Sequence, residues 1–185
     1  MALAPLDPKV ALVAIDLQKG IVAYLTVHPI EEIVGRTRVL AEAFRRRGLP
    51  VVLVNVAGGA PGRTEQPRHH REVPPGWTDL VPDLNQKPQD YVVTKRTPGA
   101  FTATDLEAHL RQLDITQVVI AGVATSNGVE VTARQAYELG FNVAFAIDAM
   151  TDVDLDAHTY SLTRVFPRIG ESGTTEEIIA LLEGA

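Results

Sequence analysis

The sequence predicts an α/β fold, a doubly wound parallel sheet with helices on both faces in three layers. Three observations lead there. Five short apolar runs are spread along the 185 residues, the runs are continuous rather than alternating, and segments of helical period separate them. A strand that is apolar at every position is one covered on both faces. Strands that alternate with helices build a parallel sheet wrapped by those helices. The length fits a single domain over residues 1–185, and a hydrophobic fraction of 45% is ordinary for a globular chain.

The first run, Val10 to Ile15, ends in Asp16-Leu17-Gln18. A helix is predicted from Ile30 to Arg47, closed by Gly48-Leu49-Pro50, where glycine supplies the left-handed closing residue and proline stops continuation. Val51 to Val56 is the second run. An irregular region rich in glycine, proline and charge follows from Ala57 to about Asp90. In a compact domain a loop of that length is expected to cover a site or meet another subunit. Tyr91-Val92-Val93 forms the third run, and Thr94-Lys95 follows it. Thr102-Ala103-Thr104-Asp105 is expected to cap a helix that ends near Gln112. The fourth run, Val118 to Ala121, passes through a tight turn into a helix from Gly128 to Leu139, which Gly140-Phe141-Asn142 stops. The fifth run is Val143 to Ile147, with a helix predicted from Asp156 to Phe166. Thr174-Thr175-Glu176-Glu177 carries the signature of a capping box and opens a last helix.

Composition excludes several classes of function. A net charge of -6 argues against nucleic-acid binding, which needs a basic face. The clusters Arg45-Arg46-Arg47 and Arg68-His69-His70-Arg71 are short and read as a solvated helix end and a loop. The chain has no cysteine, which rules out disulfides, thiolate catalysis and cysteine metal sites, and points to the cytoplasm. The segment Met1 to Pro8 lacks the basic-then-apolar pattern of a leader, and no run approaches a membrane span, so a soluble protein without membrane partners is expected.

In a doubly wound sheet, ligands bind beyond the carboxyl ends of the strands. That rule selects Asp16, Asn55, Lys95, the turn from Thr125 to Gly128, and Asp148. Asp16, directly after a buried strand, costs desolvation unless paired, so it is either catalytic or a helix cap. A lone lysine at a strand end snorkels to solvent. Paired with Asp16, Lys95 would hold the carboxylate ionised, and the pair could move a proton when substrate changes the field.

The strand-end Asp16, the strand-end Lys95 and the turn from Gly122 to Arg134 together resemble the isochorismatase-like hydrolases over nearly the whole chain. That resemblance implies a Rossmann-like fold and an active site built on Asp16 and Lys95. Most members complete the site with a cysteine at the start of the helix after the fourth strand, and Gly128 stands there in this sequence. The covalent thioester route of the amidase members is therefore closed. True isochorismatases also carry glycine there and are thought to cleave a vinyl ether by protonating carbon, so Asp16 would be the proton donor and Lys95 its tuning partner. The turn wording and Asp148-Ala149-Met150-Thr151-Asp152 are similar to an uncharacterised bacterial subgroup with glycine in place of the cysteine. A true isochorismatase typically has an aromatic residue and a histidine where this chain has Ala124-Thr125-Ser126. The resemblance also implies a non-proline cis peptide at Val123-Ala124, and a homo-oligomer, dimer or tetramer, whose contacts involve the long loop and the helix after Gly128.

Other residues carry alternatives. Ser126 is a rival nucleophile or an N-cap, and Thr125 caps or lines the pocket along with Val123 and Ala124. Asn127 binds a polar substrate atom or is simply a turn residue. Gln18, Phe101 and Trp77 are candidates for the pocket wall or for packing. Arg63 would meet a substrate carboxylate by bidentate contact or reach solvent. The metal pattern of nicotinamidases is absent from Asn55 to Arg63, and His69-His70 lack a third placed ligand, so neither metal nor cofactor is expected. Three functions follow: an acid-base hydrolase of a small molecule, an amidase using directly activated water, and a non-catalytic binding or scaffold protein that kept the pocket.

Overall fold

In a computed structural model of the chain, which describes residues 3–24, 26–65 and 73–184, six strands form one sheet in the order β3-β2-β1-β4-β5-β6. They are β1 (Val10–Ile15), β2 (Val51–Val56), β3 (Tyr91–Lys95), β4 (Gln117–Val123), β5 (Asn142–Thr151) and β6 (Glu171–Gly173), and every pairing is parallel. The chain winds outward from β1 to β3, returns to place β4 beside β1, and winds outward again. The order therefore reverses between β1 and β4, which opens a crevice at their carboxyl ends.

Residue parity explains the three layers. Ala11, Val13 and Ile15 of β1, with Val118 and Ile120 of β4, pack on α3 (Leu106–Gln112) and α4 (Glu130–Glu138) through Leu106, Leu110, Ala133 and Ala136. Their neighbours Val10, Leu12 and Ala14, with Val119 and Ala121, pack on α2 (Ile30–Arg46) and α6 (Thr175–Glu183) through Leu40, Phe44, Ile178 and Leu182. Both faces of the central strands are covered, as their unbroken apolar sequence requires. The remaining α-helices are a short α1 (Lys19–Val22) and α5 (Leu155–Tyr160), which continues through wider and tighter turns to Arg168, and a single 3-10 turn spans Pro82–Leu84. None of the described helices is long and apolar enough to cross a membrane.

The predicted punctuation is present. Gly48 and Gly140 have φ of 67° and 83°, and Thr174 with Glu177 forms a capping box at α6. Asp105 stands at the N-cap of α3 without a side-chain cap; its carboxylate accepts from the Tyr91 hydroxyl at 2.6 Å instead.

Four features depart from the sequence expectations. Strand β3 alternates in burial because it is the sheet edge, with Val93 and Lys95 turned inward and Val92 and Thr94 exposed. Strand β5 runs on past Ile147 to Thr151. Its register against β4 slips, from Ile120 beside Phe145 to Gly122 beside Met150, and the intervening residues bulge. Asp148 lies in that bulge and accepts from Thr175 N at 2.7 Å and its Oγ1 at 2.8 Å, so it anchors α6 rather than ending a strand. The helix predicted from Gly128 begins earlier, as one widened turn over Thr125–Val129 in which Val129 N donates to Ala124 O. Such widened turns recur at functional sites. Strand β6 and helix α1, of three and four residues, are too short for periodicity to reveal.

Gly122 makes the junction of β1 and β4 possible. Its φ is 113°, and a Cβ there would stand 2.1 Å from Ile15 O, so only glycine lets the two strands pair at this point.

Candidate active site

Asp16 leaves the end of β1 in the left-handed region, with φ 54°, while its N–H still donates to Val54 O. A non-glycine residue there is uncommon and costs conformational energy. The conformation carries the carboxylate out of the strand line and toward the crevice. Lys95 arrives from β3 on its inward face, so its stem is enclosed and its side chain is 1% exposed. Its ammonium lies 2.8 Å from Asp16 Oδ2 and also donates to Pro98 O.

Burial dominates the electrostatics of Asp16. It lifts the carboxyl from 3.8 to about 6, and the charge and hydrogen bond of Lys95 only partly oppose it. The other oxygen, Oδ1, is buried and has no hydrogen-bond partner among the described residues. Gly128 completes the constellation: a Cβ built there would stand 3.0 Å from Asp16 Oδ2 and 3.0 Å from Lys95 Nζ.

These groups open on a pocket of about 460 Å³, a size typical of small-molecule sites. Asp16, Lys95, Trp77, Val123, Ala124, Asn127 and Gly128 all line it. The Val123-Ala124 peptide bond is cis. The long loop supplies one wall by pairing with the segment after Asp16. Leu80 bridges antiparallel to Gln18, Val81 N donates to Leu17 O, and Lys19 forms an ion pair with Asp79 at 2.9 Å. The Trp77 ring lies over Gly20, where a Cβ would fall 2.1 Å from an indole atom.

The Isochorismatase domain matches residues 10–177. The chain belongs to the isochorismatase family. It is 41% identical over 181 residues to the uncharacterised isochorismatase family protein YwoC of Bacillus subtilis, covering 92% of this chain and 93% of that one. Similarity to the streptothricin hydrolase of Streptomyces noursei is 33% identity over 148 residues, or 80% of this chain and 51% of that one. An isochorismatase family protein from Burkholderia thailandensis superposes with a TM-score of 0.94 at 42% identity, covering 98% of this chain and 100% of that one. The sheet and the two helix layers are thus the isochorismatase-family hydrolase fold, here without any cysteine.

Four residues singled out in the sequence stand apart from the pocket of this family member. Gln18 is fully buried: its amide donates to Val56 O at 3.0 Å and Trp77 O at 3.3 Å, and its Oε1 accepts from Val56 N at 2.6 Å. It ties the wall loop to β2. Phe101 packs against the core and stacks with Phe141. Thr125 is buried against Nδ1 of His158 at 2.8 Å. Burial, reinforced by His28, holds that imidazole below its ordinary value, while Asp152 pulls the other way. Arg63 is exposed. Asn55, also on the strand-end shortlist, donates to Thr78 O at 2.9 Å and steadies the same loop.

Ser126 is not the cap. Its hydroxyl donates to Asp152 Oδ2 at 2.8 Å, and its N–H donates to the same oxygen at 2.7 Å. The cap comes from Asp152, the carboxylate that does follow β5. Sequence reasoning passed over Asp152 because the charge of Asp148 marked an earlier end to the strand. Tyr24, Thr26 and Val153 also line the pocket, and only their position in the fold reveals them. His69 and His70 lie outside the described residues. Among the described ones, no group of three or more His, Asp or Glu is placed to hold a metal ion.

Proposed function

We propose that the chain hydrolyses a small molecule, with Asp16 handling protons and water as the nucleophile. One observation carries this reading. The point where a side chain at position 128 would begin is 3.0 Å from both members of the buried Asp16-Lys95 pair, and the chain places glycine there. Without a side chain at 128 the pair opens on the pocket of about 460 Å³, which has room for water beside a small substrate. Kinship to a protein named as a hydrolase supports the reading, although fold alone does not fix chemistry.

On a vinyl ether the protonated Asp16 gives its proton to the terminal alkene carbon, and the π electrons form the new C–H bond. The resulting oxocarbenium ion takes up water, whose proton returns to the Asp16 carboxylate. The hemiacetal then splits into an alcohol and a carbonyl compound. Lys95 steadies the carboxylate between these steps. Phenyl vinyl ether, which would release phenol and acetaldehyde, is a suitable probe. The kcat/KM should fall as pH rises through about 6, the value for Asp16 in the free protein. The Asp16→Asn substitution should cost about 100-fold or more. An unchanged rate in that variant would sink the mechanism.

A second reading is favoured by the same ionisation. Above about 6 Asp16 is a carboxylate, suited to activating water against an amide. Benzamide hydrolysis by that route should rise, not fall, through the same pH, so the sign of the limb separates the two. Saturable binding with no turnover of either probe would favour the binding-module reading instead.

A further inference from the structure

We infer that the occupant of this pocket is an uncharged, flat molecule and that carboxylate-bearing ligands are excluded. The inference rests on the pocket being the substrate site, and it concerns which molecules enter rather than how they react.

The walls are mostly apolar: Ile21, Tyr24, Val56, Trp77, Val123 and Val153. Among the charged residues in the lining, Asp16 and Asp152 are two carboxylates against the single ammonium of Lys95. That ammonium is already engaged by Asp16 and by Pro98 O. Asp152 points its oxygens at Ser126 N, Ser126 Oγ, Val153 N and Asp154 N, and brings no donor of its own. Lys19 and Arg96 stand outside the lining. Lys19 pairs with Asp79 at 2.9 Å, and Arg96 donates to Ala57 O at 3.3 Å. The side chain considered for a carboxylate clamp, Arg63, is exposed and outside the lining.

Once Asp16 is ionised, a carboxylate entering this space loses its water, meets two like charges and finds no uncommitted cation among the described lining residues. Burial of such an ion is unfavourable without pairing, and like charges in contact cost several kcal/mol. An uncharged ring meets the opposite situation. The Trp77 indole and the Tyr24 ring offer flat apolar surface, and the exposed amide of Asn127 offers both a donor and an acceptor.

Trp77 is the chain's one tryptophan, so its emission reports the pocket directly. Three probes of matched shape would be titrated at about pH 8, where Asp16 is ionised: benzamide, benzoate and the dicarboxylate isophthalate. Benzamide is expected to change the emission saturably and to bind at least about tenfold more tightly than benzoate, with isophthalate weaker still. Val153→Arg supplies a cation at a lining position that is 64% exposed and holds no part of the proposed chemistry. It should shift the benzoate-to-benzamide affinity ratio about tenfold or more toward benzoate. Benzoate or isophthalate binding as tightly as benzamide to the unmodified chain would overturn the inference. So would the absence of benzamide binding at millimolar concentration, or a Val153→Arg variant with unaltered preference. Because binding is read without turnover, bound benzamide with no turnover of it or of phenyl vinyl ether tells against the hydrolase reading alone. Hydrolysis accompanied by tight carboxylate binding tells against this inference alone.

Discussion

Asp16 carries an energetic cost. Its carboxyl is lifted to about 6 in the folded chain from 3.8, so folding favours its neutral form. Stability from that preference is full below the lower value and is lost as pH rises through the higher one. The difference amounts to about 3 kcal/mol between roughly pH 4 and pH 7. An Asp16→Asn variant, which cannot ionise there, should match the natural chain near pH 4 and exceed it by about that much near pH 8. Denaturant unfolding at the two pH values checks this, and a variant less stable at the higher pH would refute it. Lys95 holds the carboxyl down, so Lys95→Met should move the pH limb of any residual activity above 6. A limb that stayed in place would show that the ammonium does not tune the acid. Both residues were legible in the sequence because each follows an apolar run at a strand end. Their pairing was only a hypothesis there, since nothing in spacing fixes a contact between residues on β1 and β3.

At the scale of elements, α2 and β3 are locked by a buried ion pair. Arg45 donates to both oxygens of Asp90, from Nε at 2.9 Å and Nη2 at 2.6 Å, and the Asp90 side chain is 1% exposed. The run Arg45-Arg46-Arg47 was read as a solvated helix end, and for Arg45 that reading is corrected by the helix face it occupies. Arg45→Met should cost about 3 to 5 kcal/mol, because it strands a buried carboxylate. Arg46→Met, whose pairing with Glu183 at 3.5 Å is exposed, should change stability by less than about 1 kcal/mol. Equal effects would mean burial does not set the worth of these pairs. Continuous apolar runs revealed the central strands because both faces of β1, β2 and β4 are covered. The edge strand β3 and the bulged β5 were harder to bound, since one has an open face and the other tolerates a charge where its register slips.

For the whole molecule, the two halves of the sheet meet only at β1 and β4, and the pocket straddles that seam. Amides of β1 and β4, buried on both sides, should exchange with solvent only on global unfolding. The mostly exposed stretch 58–65, which forms no strand or helix, should exchange by local opening. Hydrogen-exchange mass spectrometry would resolve this, and uniform protection would contradict it. The fold class was readable at this scale because alternation of strands and helices is a property of the entire chain. The wall around the Asp16-Lys95 pair was less readable. Trp77 was a candidate, whereas Tyr24 and Val153 enter the site from segments without a motif, and Phe101 and Thr125 turn toward packing instead.

The Gln18 side chain sits two residues from Asp16 and grips both Val56 and the carbonyl of Trp77. One amide therefore links the acid's own segment to the wall that a ligand would touch. The mechanical result is a shared lever: displacing the wall pulls on the backbone that aims the carboxyl. Changes that remodel the loop for a bulkier ligand should then shift kcat together with KM, so selection for new specificity through this loop would carry a penalty in turnover unless Gln18 is released first.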